Sequence, residues 1–323
     1  MKRAVVIGTG AYLPSRIMTN ADLEKIIDTS DEWIKERTGI TQRHIAMEGE
    51  KTSDLAIKAA HAAINAAGVA ADSIELLIIA TTTPDDTMPS TATKVQHAIG
   101  MTRGAGFDMN AACSGFVYAM TVANSFIASG QANRVLVIGA ETYSRILDWK
   151  DRTTCILFGD GAAAVLLDAQ EQKGDSNDRG VLFSRMHSDG QYVELLGTSG
   201  GVSATQTAGT LFMAGKEIYR HAVSKMPEAV TEGMGALLLP FETIDWLVPH
   251  QANMRILSGV ANKLKLSEEK VIATVEKHAN TSAASIPLAL HQGVTDGRIK
   301  QGQLIACPAL GAGLTWGCTI LRW

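Results

Sequence analysis

Two segments of the chain return in the same register. Glu75-Leu-Leu-Ile-Ile-Ala lies 170 positions before Asp245-Trp-Leu-Val-Pro-His, and Asn110-Ala-Ala-Cys-Ser-Gly lies 170 positions before Asn280-Thr-Ser-Ala-Ala-Ser. Two independent matches at one offset point to duplication of a unit about half the chain long. Each copy alternates strand-like and helix-like runs, which predicts a mostly parallel α/β unit in each half. The 323 residues suffice for two domain-sized units. The one clear compositional dip, Glu171 to Gly180, is polar and rich in Gly and Asp, and it sets the division at 1–172 and 173–323.

The repeated Asn-Ala-Ala-Cys segment opens a run of helical length. Phe116, Val117, Ala119, Met120, Val122, Ala123, Phe126 and Ile127 point in nearly every direction around that helix. A helix apolar on all sides belongs in the middle of a large protein. Its mate, starting near Ser282, is also small and apolar, so the two are expected to pack against each other between two sheets. Cys113 then stands at the amino end of a buried helix. Unpaired N–H groups and the helix dipole there favour an anion, which predicts a lowered thiol pKa. Asn110 or Ser114 can cap the first turn. The alternative for a lone cysteine is a buried, inert one.

Taken in order, Ala4–Gly8 reads as a buried strand. The Gly-Thr-Gly after it is a weak signal for a dinucleotide loop, because Pro14 interrupts any continuation into a helix. Asn20–Asp28 reads as a helix with Asn20 as cap, and Ser30 caps a helix carrying Trp33 and Arg37. Trp and Arg one turn apart can stack a purine and pair with a phosphate, although by themselves they read first as a surface Trp with a solvated Arg. Ser53–Ala67 reads as helix, Glu75–Thr82 as strand, Thr91–Ile99 as helix and Arg134–Gly139 as strand. Residues 156–169 read as a hairpin turning at Gly159–Gly161.

A net charge of −4 gives no basic footprint for nucleic acid. No apolar run approaches the roughly 20 residues of a membrane span. The N-terminal apolar run is cut by Gly8, Gly10 and Pro14, so it is no signal peptide. Cys113, Cys155, Cys307 and Cys318 match no zinc or CxxC spacing, and no metal is expected. These features predict a cytoplasmic protein with reduced thiols.

If the halves are related by a pseudo-twofold, their corresponding loops face each other. Cys113 at one central helix, Asn280 before its mate, and His250 at the end of the strand equivalent to Glu75–Ala80 then converge. Alone, His250 after Pro249 reads first as a satisfied core histidine. Together the three suit carbon–carbon bond formation. A thiolate takes an acyl group as a thioester. Decarboxylation of a malonyl group supplies a carbanion without a strong base, and its enolate oxygen needs neutral donors such as His250 Nε2–H and the Asn280 amide. The glycine-bordered N–H of Ala312, with that of Cys113, can hold the thioester oxyanion.

These residues and their flanks resemble the β-ketoacyl-acyl-carrier-protein synthase III enzymes of the thiolase superfamily. The likeness runs essentially end to end, through IGTGAYLP, TSDEWIKERTGI, NAACSGF, FGDGAAA, MAGKEIYRHAV, DWLVPHQANMRI, HANTSAASIPLAL and GAGLTWG. It implies a five-layered αβαβα fold of two pseudo-twofold-related halves, a homodimer, and a ping-pong condensation of an acyl-CoA primer with malonyl-acyl-carrier protein that initiates type II fatty acid synthesis. The CoA thioester is a substrate, and no cofactor is implied. Carried over by position, Trp33 and Arg152 hold the adenine of CoA, with Arg37 beside them. Asn253 contacts pantetheine. Met213, Ala214, Gly215 and Tyr219 line the substrate tunnel, and Met88 is the residue a partner subunit inserts to limit primer length. Gln251, Ala252, Asn253, Met254 and Arg255 form the carrier-protein-binding stretch, with Arg255 meeting an acidic carrier helix. Gly311-Ala312-Gly313 replaces a frequent triple glycine, and Met88 stands where an aromatic is common.

Within the superfamily, a thiolase needs a second cysteine as base, and Cys318 lacks its glycine frame. Elongating ketosynthases place a second His where Asn280 stands. A hydroxymethylglutaryl-CoA synthase needs a glutamate base near the cysteine, and the sequence offers no such candidate. The nearest rivals are an alkylquinolone-type synthase with another acyl starter and an inactive carrier-binding subunit. The second of these is opposed by the intact Cys113, His250 and Asn280.

Overall fold

The computed structural model describes all 323 residues. Residues 2–171 supply a five-stranded sheet, in the spatial order Lys2–Tyr12, Asp160–Glu171, Arg134–Thr142, Leu76–Ala80, Ala105–Met109. Residues 180–322 supply a four-stranded sheet, in the order Trp246–Leu247, Leu304–Gly311, Thr315–Arg322, Gly180–Ser188.

The sheets are mixed, which corrects the expectation of mostly parallel units. In the first, only the pairings of Leu76–Ala80 with its two neighbours are parallel. In the second, only Trp246–Leu247 with Leu304–Gly311 is parallel. The physical reason is visible at the C-terminus. Leu304–Gly311 and Thr315–Arg322 are joined by residues 312–314, too short for the crossover of about a dozen residues that a parallel pair needs. The hairpin expected over 156–169 is also corrected to a single strand, Asp160–Glu171. The Asp160 carboxylate accepts from Ala46 N–H, Ser144 N–H and Ser144 Oγ–H, which fixes the corner where that strand begins.

Alternation along the strands separates the layers, because successive side chains point to opposite faces. Leu77, Ile79, Leu136, Ile138, Ala164 and Leu166 pack outward with the helices Thr52–Ala67 and Thr91–Ala98. Leu76, Ile78, Val135, Val137, Val165 and Leu167 pack inward with the helices Gly115–Ala128 and Ser285–Thr295. The second sheet repeats the division: Ile305, Cys307 and Ala309 face the same two helices, while Leu304, Ala306 and Ile320 face the outer helices Gly215–Leu237 and Met254–Lys263. The sum is five layers, αβαβα. With both sheet faces covered, the strands are apolar on both sides.

The first central helix and the strand Arg134–Thr142 both meet the turn before the second central helix through small residues. A Cβ on Gly115 would sit 3.3 Å from Ala283 Cβ, and one on Gly139 would sit 2.2 Å from the Ala283 carbonyl oxygen. Phe116 and Met120 are fully enclosed between the sheets; each such side chain contributes about 1.5–3 kcal/mol by its burial. Each helix is preceded by a tight 3₁₀ turn, Ala112–Ser114 in one copy and Ser282–Ala284 in the other. Local signals were mostly kept. Ser30 Oγ accepts from Trp33 N–H at the start of Asp31–Thr38, and Gly39 closes that helix at φ +74°. The helix expected before it, Asn20–Asp28, is only one turn, Asn20–Leu23, and Thr19 rather than Asn20 caps it.

Candidate active site

Cys113 follows the strand Ala105–Met109 and sits in the 3₁₀ turn, 5% exposed. His250 ends the run that starts at Trp246. Its backbone stays beside Leu304–Gly311 through Val248 N–H to Ala306 O, 2.8 Å, and His250 N–H to Pro308 O, 2.9 Å. Asn280 is clamped to the first half by Asn280 N–H to Leu157 O, 2.9 Å, and Gly159 N–H to Asn280 O, 3.0 Å. Cys113, His250 and Asn280 line one cavity of about 340 Å³, with Trp33 and Arg37 elsewhere on its wall. Cys113 also borders a second cavity of about 420 Å³, lined by Thr82, Tyr143, Phe158 and Ala312. The sulfur thus stands where a channel and a chamber meet.

Hydrogen bonding fixes how Asn280 presents its amide. Its Oδ1 accepts from Ser282 N–H at 2.8 Å, so the carbonyl is committed to the backbone and the NH₂ group is left for the cavity. His250 Nδ1 lies 2.7 Å from Ser285 Oγ. Asn110 makes the equivalent turn, its Oδ1 accepting from Ala112 N–H at 3.2 Å, whereas Ser114 donates to Thr315 O and caps nothing. The Gly311–Gly313 segment lies against the nucleophile: a Cβ on Gly311 would come within 2.8 Å of Cys113 N. Only glycine allows that approach.

The electrostatics correct one expectation. Burial pushes the Cys113 thiol up to about 12, although Ser282 hydrogen bonding opposes the shift. The helix terminus does not yield a resting thiolate, because desolvation of the anion outweighs it. Burial also pulls His250 down to about 3, so its imidazole is neutral at pH 7.

One group corrects the expectation that no glutamate lies near the cysteine. Glu141, at the inner end of Arg134–Thr142, is fully buried, and its charge acts on Cys113. Its Oε2 accepts from Thr81 Oγ1, Thr82 N–H, Thr83 N–H and Thr83 Oγ1, while Oε1 has no partner. Burial raises this carboxyl to about 7. Beside it, the Tyr143 hydroxyl accepts from Ser282 Oγ at 3.2 Å, and the Tyr143 ring stacks on Phe158. The available signal was a lone carboxylate following the apolar run Val135–Ala140.

The other candidates divide. Trp33 has two guanidiniums within cation–π range, Arg37 at 4.6 Å and Arg152 at 5.2 Å from its ring centre. Arg152 is exposed and donates to Asp28 O. Met213, Gly215, Tyr219, Ala252 and Asn253 line the channel, but Ala214 is exposed and does not. Met88 is 83% exposed and lines neither cavity. Asn253 caps the helix Met254–Lys263 through Ile256 N–H, Met254 packs against Gly39, and Arg255 is exposed. Gln251 is corrected. It is fully buried, donating to Pro249 O and Ile272 O and accepting from Thr274 and Val275 N–H, so its side chain has nothing left for a carrier protein.

All four cysteines are free, no cluster of three or more His, Cys, Asp or Glu side chains has metal-ligand geometry, and no helix is long and apolar enough to cross a membrane.

Residues 107–190 match the family described as 3-oxoacyl-[acyl-carrier-protein] synthase III, and residues 238–323 match its C-terminal part. A β-ketoacyl-[acyl-carrier-protein] synthase III of Paramagnetospirillum magneticum is 58% identical over 99% of both chains. The chain belongs to the β-ketoacyl-[acyl-carrier-protein] synthase III family. The synthase III of Rhodospirillum centenum is 57% identical, again over 99% of both chains. The crystal structure of the Aquifex aeolicus synthase III superimposes with a TM-score of 0.94 at 45% identity, covering 99% of this chain and all of that one. The five-layered architecture is therefore that of the synthase III enzymes.

Proposed function

We propose that Cys113, His250 and Asn280 divide the synthase III reaction between them, at the seam of two halves spanning 1–172 and 173–323. The observation that carries this reading is the single cavity the three side chains share. Acyl-CoA, with acetyl as the primer, enters past Trp33 and Arg37. The Cys113 sulfur attacks the thioester carbon, its proton leaves as the C–S bond forms, and the departing CoA sulfur is protonated in turn. The N–H groups of Cys113 and Ala312 hold the tetrahedral oxyanion.

Malonyl-acyl-carrier protein then delivers its thioester along the same channel. Its carbonyl oxygen accepts from His250 Nε2 and from the Asn280 amide. Both donors are neutral, and both strengthen as the oxygen gains charge during loss of CO₂. The carbanion attacks the acyl carbon on Cys113, the C–S bond breaks, and 3-oxoacyl-acyl-carrier protein leaves. Burial keeps the His250 imidazole uncharged well below neutral pH, so the donor it offers is the neutral one. The reaction needs no cofactor and opens fatty acid synthesis in the cytoplasm.

A homodimer fits this reading. Met88 can limit primer length only if a second copy carries it to the chamber, and its exposure leaves it available. Arg255, exposed at the start of Met254–Lys263, suits an acidic carrier helix.

Intact-mass measurement after incubation with acetyl-CoA tests the proposal. The expected result is one added acetyl group, mapped to Cys113 and discharged by malonyl-acyl-carrier protein. An unchanged mass would favour a carrier-binding subunit without catalysis, and discharge by free malonyl-CoA would favour the alkylquinolone-type reaction.

A further inference from the structure

The His250 imidazole makes one hydrogen bond, from Nδ1 to Ser285 Oγ at 2.7 Å. The same oxygen receives Gln251 N–H at 3.2 Å. Ser285 is 2% exposed and is the first residue of the central helix Ser285–Thr295. A serine hydroxyl has one hydrogen and two lone pairs. Gln251 N–H can only donate, so it occupies one lone pair.

Two arrangements remain. If His250 Nδ1–H donates to Ser285, both lone pairs are used and the serine hydrogen must find another acceptor. Ser285 Oγ has no hydrogen-bond partner other than His250 and Gln251, so that hydrogen would be buried and unpaired, and its desolvation would go uncompensated. If Ser285 O–H donates to Nδ1, every group is satisfied. The imidazole hydrogen is then on Nε2, the nitrogen with no protein partner, on the side chain that borders the cavity shared with Cys113 and Asn280.

We propose that Ser285 is a positioning residue that fixes the tautomer of His250, keeping the hydrogen on Nε2 for the enolate oxygen. The inference rests on the reading of His250 given above and adds what sets its protonation pattern. It also separates the two half-reactions. A histidine held as a donor at Nε2 does not remove the Cys113 proton from that nitrogen. The hydroxyl belongs to one copy of the repeat only, since Gly115 stands 170 positions earlier.

The test combines spectroscopy with half-reactions. In protein labelled with ¹⁵N-histidine, with His250 assigned by a His250→Gln control, the resting enzyme is expected to show the Nε2–H pattern. Ser285→Ala is expected to move His250 toward the Nδ1–H form. It should slow malonyl decarboxylation by about tenfold to a hundredfold, less than the full loss of an oxyanion donor. Acetylation of Cys113 should be unchanged. Ser285→Thr keeps the hydroxyl and is expected to retain the wild-type spectrum and most of the decarboxylation. An Nδ1–H pattern in the wild type overturns the proposal, as does a threonine variant as impaired as the alanine one. The spectrum needs no substrate, so it reports on Ser285 even if malonyl-acyl-carrier protein is not turned over.

Discussion

Ala112 and Ser282, 170 residues apart, hold the same left-handed backbone, at φ +47° and +50°. Each donates its N–H to the side-chain oxygen of an asparagine two residues earlier, Asn110 or Asn280. A non-glycine residue in this region costs energy and persists only where its surroundings enforce it. Here the same asparagine turn enforces it in both copies. The turn then serves two ends: in the first copy it sets up the cysteine that follows, and in the second it aims the asparagine's own amide.

Replacing Cys113 by Ser should abolish acetyl transfer, because a hydroxyl is a far weaker nucleophile than a thiol. Malonyl decarboxylation should survive, since His250 and Asn280 remain. The two half-reactions are read separately, by intact mass and by CO₂ release. A serine variant that condenses normally would reassign the nucleophile.

Asn280→Ala removes an enolate donor and the acceptor of Ser282 N–H together. Decarboxylation should fall by about 10²–10³, and stability by about 1–3 kcal/mol for the buried N–H left unpaired. Acetylation of Cys113 should stay close to wild type. Equal loss in both half-reactions would contradict the role given to the amide.

Glu141 gives the protein a pH dependence of predictable sign. Its carboxyl is raised from 4.5 to about 7, so the folded state holds a proton that the unfolded chain has lost. The associated stability is complete below pH 4.5 and is lost as pH rises through about 7, on the order of 3 kcal/mol in all. Glu141→Gln should flatten the melting temperature across that window. Above pH 7 the carboxylate also opposes the Cys113 thiolate. Alkylation of Cys113 by iodoacetamide should therefore rise more steeply with pH in the glutamine variant than in the wild type. Parallel profiles would show that Glu141 does not act on the sulfur.

Arg255→Glu should raise KM for malonyl-acyl-carrier protein by about tenfold, roughly the effect of reversing one exposed charge facing an acidic partner, while KM for acetyl-CoA stays unchanged. Added salt should shrink the difference. An unaffected carrier KM would place the docking surface elsewhere.

Much of the architecture was written locally. The all-round apolar helix after Cys113 forecast its place between two sheets, and Ser30 forecast the start of its helix. The duplication register anticipated that Cys113, His250 and Asn280 would share one cavity. What escaped depends on contacts between distant segments. Glu141 acts on Cys113 only because the loop after Leu76–Ala80 brings Thr81–Thr83 and the turn of the second copy brings Ser282 around it, and no local period encodes that. Gln251 sits in a polar stretch that reads as surface, yet four backbone groups hold its amide inside. The antiparallel strands were missed because apolar runs alone do not reveal direction.

The position of the sulfur on the border of two cavities carries an order of events. Once an acyl chain is attached to Cys113 it can swing into the chamber under Tyr143 and Phe158, which clears the corridor beside His250 for the next visitor. A primer too bulky for that side room would stay in the passage and shut out the carrier-borne partner, turning a substrate into a plug.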